Sequence, residues 1–589
     1  MDAILVEVLA NRLVSIVNEQ QAALIRTAFS TIVRESEDLA CGVFDSRGNM
    51  VAQSLTGTPG HINAMATGVR HFLTAFPPET LRPGDVLLTN DPWQTSGQVN
   101  DITVVTPVFR GDRAIAFFAN TCHAADIGGK VLSAESREVF EEGLRIPIMR
   151  LFEEGVPNET LLTIIRANVR TPDETVGDLH AQTACNDVGA RSLAALLEEF
   201  ALDSIDLLAD EIIRRSERAM RDAIGALPDG VYEHEGWSDG FDEPIRLAVR
   251  VTVEGEVLEL DFAGSSPQSG YGINLVLNYT HAYASFAAKA ALAPDVPHNE
   301  GSFRPVRVLA PPGSILNCLE PASVGTRHLI GHLLPGVIFG ALARALPDRL
   351  LATGADASWL TIWRGEDREA RPFSLTLFQS GGTGARATKD GLTTTGFPSG
   401  VAGVPAEVIE TLTPLVQRRR ELRTDSGGAG RWRGGLGQLT EMACRGSGPW
   451  TVSTLIDRTR FPAPGLDGGG SGAAGELSLA SGAPARPKTV LQVAEDDRVL
   501  LSPPGGGGYG HPYEREPERV LADVVDGYVS LERAREDYGV AVEYVGPADR
   551  LVRTPDLYRI DDEATAALRE YRDVHGMTGG PHKDDEGSA

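Results

Sequence analysis

Apolar residues recur three and four positions apart from Ile4 to Ile32, at Leu5, Val8, Leu9, Leu13, Ile16 and Val17. That is the spacing of one helix face. Between Cys41 and Ser54 two apolar runs flank Asp45-Ser46-Arg47-Gly48-Asn49, which predicts a β-hairpin. His61 to Phe76 returns to helical spacing. From Asp85 to Gly129 the pattern becomes strand, loop, strand, turn and strand: VLLTN, DPWQTSGQVND, ITVVTPVF, a turn at Gly111-Asp112, then AIAFFAN and the loop TCHAADIGG. Loops fixed by rigid strands concentrate catalytic side chains.

Helical spacing resumes from Pro172 to Ala226, followed by strand patterns at VYEHEGW and IRLAVRVTVEGEVLELDF. Asn278–Ala293 and His328–Leu346 predict helices, and short strands with many glycines run on to Ser502. Pro517–Tyr528 and Ser530–Asp537 predict short amphipathic helices. The expectation is a mixed α/β (α+β), multi-domain chain with a Gly-rich, β-containing C-terminal half. Its divisions fall at 1–230 (α/β), 231–370 (β-rich, then helical), 371–515 (Gly-rich, with strands), 516–575 (helical) and 576–589 (a polar, disordered tail).

Composition adds exclusions. The 589 residues are 42% hydrophobic and 23% charged, an ordinary balance for a packed chain. A formal net charge of -27 repels phosphate backbones and anionic membranes, which argues against nucleic-acid or membrane partners. Five scattered cysteines with no CxxC argue against a disulfide framework and a zinc ribbon, and predict a cytoplasmic protein. The N-terminus lacks a signal-peptide pattern, and no apolar run is long enough to span a membrane. The 64 glycines lie in runs such as GGTGAR and PPGGGGYG beside strand-like residues. Close backbone approach explains them, and backbone amides cradling an anion is the sharper alternative.

Neither a P-loop nor a GxSxG elbow is present, so the chain advertises no nucleotide site or serine-hydrolase site of its own. The strongest constellation is Asp101 with His123 and Asp126. If the two intervening strands pair as a hairpin, their ends meet. A histidine and two carboxylates suit a divalent Mn, Fe or Zn ion, which lowers the pKa of bound water. A capped turn and a hydrogen-bonded histidine is the plainer alternative. Glu35, within Arg34-Glu35-Ser36-Glu37-Asp38, and His61, after Gly57-Thr58-Pro59-Gly60, are further catalytic candidates. Their plainer readings are a solvated loop and a helix-start or core histidine. His328 and His332 share a helix face, but no Glu completes HExxH, which favours a structural pair.

Several segments resemble the hydantoinase B/oxoprolinase family: GDVLLTNDPW (84–93), NDITVVTPVF (100–109), HAADIGG (123–129), KDGLTTTGFPSG (389–400) and PPGGGGYGHPYERE (503–516). The matches run in order along nearly the whole chain. The resemblance implies a B-type subunit of an ATP-dependent hydrolase of cyclic amides such as hydantoins, lactams and 5-oxoproline. It also implies a hetero-oligomer in which an A-type ATPase partner binds ATP and phosphorylates the substrate oxygen. The B-type subunit then opens the ring C–N bond, often at a divalent metal, here expected on Asp101, His123 and Asp126. Relatives typically carry a histidine three residues before the aspartate, where this chain has Gln98. A neutral amide oxygen is a poor ligand for a borderline metal. Weaker metal binding, a harder ion such as Mn²⁺ or Mg²⁺, recruitment of His61 and loss of the metal all remain open. The alternatives to hydrolysis are the large subunit of an ATP-dependent ketone carboxylase and a scaffold subunit with a degenerate metal site.

Overall fold

The computed structural model describes residues 3–130, 132–547, 550 and 554–575. The tail expected at 576–589 lies outside the described residues. The first helix, α1 (Ala3–Thr27), buries Leu9, Leu13, Ile16 and Val17 of the expected stripe, while its first turn buries Val6 in place of Val8, which is exposed, and leaves Leu5 partly buried. Seven antiparallel strands follow: β1 (Leu39–Asp45), β2 (Met50–Gln53), β3 (Val86–Thr89), β4 (Asp101–Arg110), β5 (Arg113–His123), β6 (Met149–Glu153) and β7 (Val156–Pro157). Their order is β2-β1-β5-β4-β3-β6-β7.

The central strands are buried on both faces, which explains their continuous apolar runs. Alternate side chains feed different cores. Val43 and Phe118 join the core containing Leu13 of α1 and Ala181 of α3 (Pro172–Glu199). Phe44 and Phe117 join Val69 and Phe72 of α2 (Pro59–Ala75) on the other face.

A second sheet, Gly230–Ser238, Ile245–Glu254, Val257–Asp261 and Val306–Leu309, alternates buried and exposed residues along its second strand. Between its third and fourth strands lies α4 (Leu277–Leu292). The helix expected over His328–Leu346 is two pieces, α5 (His328–Gly331) and α6 (Leu334–Leu342), with Pro335 at the start of the second.

Two four-stranded sheets form the C-terminal half, and three tryptophans, Trp359, Trp363 and Trp450, fill their shared core. The glycine runs cross there as extended segments packed backbone against backbone. The Gly506 amide donates to Gly435 at 2.9 Å, and the Gly428 amide to Gly506 at 2.8 Å. A Cβ on Gly505 would stand 1.7 Å from the Ser426 carbonyl oxygen, and one on Gly434 1.9 Å from that of Gly506. Close backbone approach is therefore what these glycines serve. Residues after 516 form two short helices, Pro517–Val525 and Leu531–Tyr538, a small strand pair and a last helix, Asp562–His575. Among the described residues no helix is long and apolar enough to cross a membrane.

Candidate functional site

Asp101 opens β4 and His123 closes β5, and the hairpin register makes them direct cross-strand partners. The first turn of α2 adds His61, with Pro59 at the helix start. The loop before β1 adds Asp38. The segment entering α5 adds Arg327, and α5 and its C-cap add His328 and His332. Tyr279 comes from α4. From the C-terminal half, Leu360, Phe378, Ser399 and Val401 close the far wall. All of these except Asp101 line a cavity of about 30 Å³, far smaller than a ring substrate. A roomier groove of about 650 Å³ between Pro78–Pro83 and Asp112–Ala114 is an open surface feature containing none of them.

Asp101 is the hub and is fully buried. Its Oδ1 meets His123 Nδ1 at 2.9 Å. Its Oδ2 accepts from Ser96 Oγ at 2.9 Å, meets His61 Nε2 at 3.1 Å, and receives the Arg327 guanidinium. Arg327 also donates to the Ser96 carbonyl at 2.6 Å and to the Gln98 side-chain oxygen. Its guanidinium lies 4.1 Å from the centre of the Tyr279 ring, a cation–π arrangement. Tyr279 is wedged in turn between Gly60 and Gly331, where a Cβ would stand 2.5 Å from the ring in each case. Asp38 sits 3.7 Å from His61 Nδ1 and accepts from Thr58 Oγ1 at 3.1 Å.

These contacts set the charges. Burial would raise the Asp101 pKa, but Arg327, followed by His61, holds the carboxyl well below its usual range. Burial opposes charge on His61, yet Asp101 and Asp38 outweigh it and raise the imidazole above its usual value. His328 goes the other way: burial, then Arg327 and His123, lowers it to about 3. Burial and His328 likewise push His332 well down. The cavity thus sets the Arg327 guanidinium and the upward-shifted His61 against two neutral imidazoles. His328 Nε2 and His332 Nδ1 are buried and have no hydrogen-bond partner among the described residues.

Of the residues singled out in the sequence, Asp101, His123 and His61 come together here. Asp126 does not join them. Its carboxylate caps its own loop, accepting from the Gly128 amide at 3.1 Å and from the Arg170 guanidinium at 2.9 Å. Glu35 pairs with its neighbour Arg34 at 3.0 Å and is absent from the cavity lining. Sequence reasoning passed over Asp38, three residues from Glu35, as well as Arg327 and Tyr279. The available signal for Arg327 was a cation near the start of the largely apolar run from Val324 to Leu346, which also contains Arg344.

The expected ligand set does not fit a metal. Asp126 is committed elsewhere, both Asp101 oxygens are taken by protein donors, and Gln98 is held by Arg327 and Gly325. Among the described residues no group of three or more His, Cys, Asp or Glu is placed to hold an ion.

The hydantoinase B/oxoprolinase family model matches residues 2–512, which takes in every element of the cavity. The chain belongs to the hydantoinase B/oxoprolinase family. A D-/L-hydantoinase component of the B type, from Pseudomonas sp. (strain NS671), is 32% identical, over 97% of this chain and 98% of that protein. The crystal structure of the ATP-dependent caprolactamase from Pseudomonas jessenii superposes with a TM-score of 0.88 at 28% identity, covering 97% of this chain and all of that one. A nucleotide-free acetone carboxylase shares the fold, with a TM-score of 0.84 at 20% identity over 98% of this chain and 84% of that chain. The hydantoinase B fold thus accounts for both halves of the molecule, including the wall that the C-terminal half lends to the cavity.

Proposed function

We propose that the chain is the B-type subunit of an ATP-dependent cyclic-amide hydrolase and opens the ring of a substrate phosphorylated on an A-type partner subunit. The supporting observation is chemical polarity within one buried cavity: the neutral His328, whose Nε2 has no hydrogen-bond partner among the described residues, shares its walls with the Arg327 guanidinium and with His61, whose pKa Asp101 and Asp38 raise. The family membership supplies the substrate class.

An amide resists hydrolysis because neither nitrogen nor oxygen leaves readily, and phosphorylating the oxygen removes that obstacle. The negative charge of the bound phosphorylated substrate offsets the burial and the Arg327 charge that hold His328 low, and His328 takes a proton from water as the water oxygen bonds to the activated carbon. Arg327 and His61 face the negative charge of the phosphorylated oxygen. The ring nitrogen takes the proton held by His328, and the C–N bond then breaks as the new hydroxyl gives its own proton to that nitrogen and becomes a carbonyl. This leaves a ring-opened acyl phosphate, which a second water converts to carboxylate and inorganic phosphate. His123, fixed by Asp101, and Tyr279, fixed by its glycine wedge, hold the walls in place. A ring enters only when the wall of Phe378, Ser399 and Val401 parts from the histidine side, since the closed cavity has room for about one water.

The test is to combine the chain with an A-type ATPase subunit, ATP and a panel of hydantoins, lactams, 5-oxoproline and ketones, with and without bicarbonate. Ring-opened product without bicarbonate is expected. Product formed only from ketones and bicarbonate would overturn the reading in favour of carboxylation.

A further inference from the structure

The placement of Arg327 bears on which cation this pocket uses. Three side chains with donor atoms converge beside β4 and β5: Gln98, Asp101 and His123. In Gln98 and Asp101 the oxygens that could ligate an ion are already turned to protein partners, and His123 is held through its Nδ1 by Asp101. The Gln98 oxygen accepts from Arg327 Nη1, while the Gln98 amide nitrogen donates to the Gly325 carbonyl. Asp101 Oδ2 accepts from Arg327 Nη2 and Ser96, and Oδ1 faces His123 Nδ1. The guanidinium therefore bridges the two residues that a metal would have to bridge.

The seat is built for it. Arg327 is 3% exposed, its Nε donates to the Ser96 carbonyl at 2.6 Å, and its flat face rests on Tyr279. A guanidinium suits such a planar, multidentate seat. Behind it, Glu142 accepts from the Val324 and Gly325 amides at 2.6 and 2.7 Å and fixes the chain that delivers both Arg327 and the Gly325 carbonyl. Charge points the same way. Asp38 lines the cavity and Asp101 is the hub beside it, and both already face protein partners, Arg327 and His61. A dication added to that buried set would face a guanidinium at contact distance with no carboxylate left unpaired.

We infer that Arg327 is the built-in cation of this pocket, standing where a divalent metal would sit between Gln98 and Asp101, and that the chain holds no metal there. This concerns the same cavity as the proposed hydrolysis but rests on its geometry alone. Metal content is read on the isolated chain, so it succeeds or fails independently of turnover.

The experiment is elemental analysis of the full-length chain, purified without chelators from cells supplemented with Mn, Fe and Zn, followed by titration of the purified chain with Mn²⁺ and Zn²⁺. The wild-type chain is expected to carry below about a tenth of an equivalent of any of these metals, and the Gln98→His/Arg327→Met chain to take up about one equivalent. The wild-type measurement is decisive by itself if the double variant does not fold. Wild-type protein carrying about one equivalent of metal, lost in Asp101→Asn and His123→Ala, would overturn the inference.

Discussion

Replacing Asp101 by Asn removes the charge at the hub while keeping its shape. The carboxylate is fully buried and receives Arg327, His61, Ser96 and His123. The change strands a buried guanidinium against a neutral amide. Breaking one side of a buried ion pair costs about 3–5 kcal/mol, because the remaining charge is left uncompensated. Arg327→Met should fall toward the lower end of that range, since His61 still faces the carboxylate. Once either partner is gone, losing the other matters much less. The double variant should therefore cost roughly 2–3 kcal/mol less than the sum of the singles. A multi-domain chain of this size does not license two-state unfolding, so the readout is local. Hydrogen exchange of peptides covering β4 and β5 reports the opening free energy of this hairpin. Single variants costing below about 1 kcal/mol, or singles that add to within about 0.5 kcal/mol, would refute the view of Asp101 and Arg327 as a coupled buried pair.

Burial pushes the Glu142 carboxyl up to about 7, against the Ser323, Val324 and Gly325 donors that pull it down. A raised folded-state pKa gives stability that is full below the unfolded value near 4.5 and is lost as pH climbs through about 7. Glu142→Gln keeps an acceptor for the same donors, so the opening free energy read by hydrogen exchange in peptides covering Val324 and Gly325 should exceed wild type at pH 8 by up to roughly 3 kcal/mol, and the gap should close toward pH 5. A gap independent of pH would show that Glu142 does not titrate there. Asp126→Asn should cost only about 1–2 kcal/mol of local stability in the loop joined to Arg170 and leave product formation with the partner subunit near wild type. A large loss of turnover with the loop still protected would return Asp126 to the reacting site.

Much of the architecture was legible in the chain because its patterns are local. The stripe from Leu5 to Val17 and the hairpin around Gly48 are each set within their own segment. The meeting of Asp101 and His123 was legible for the same reason, since one hairpin register decides it. What could not be read depends on contacts between distant segments. Arg327 lies more than 200 residues from Asp101, and nothing in its neighbourhood says which carboxylate it meets. Asp126 shares a loop with His123, yet a three-residue separation does not fix side-chain direction, and Arg170 draws it away. His328 and His332 were correctly placed on one helical segment. The pocket that gives them a role is closed by Phe378 and Val401 from the other half of the chain. The glycine runs were readable as close approach, but not which backbone each one meets.

The central claim is that ring opening happens in this cavity while ATP is used on the partner. It is tested most directly by following ATP consumption and ring-opened product together in one reconstituted complex carrying His328→Ala. Product should fall by on the order of 10²–10⁴ while ATP is still consumed, the loss expected for removing a general base. Product formed at the wild-type rate by that variant, or by the partner subunit alone, would contradict the account.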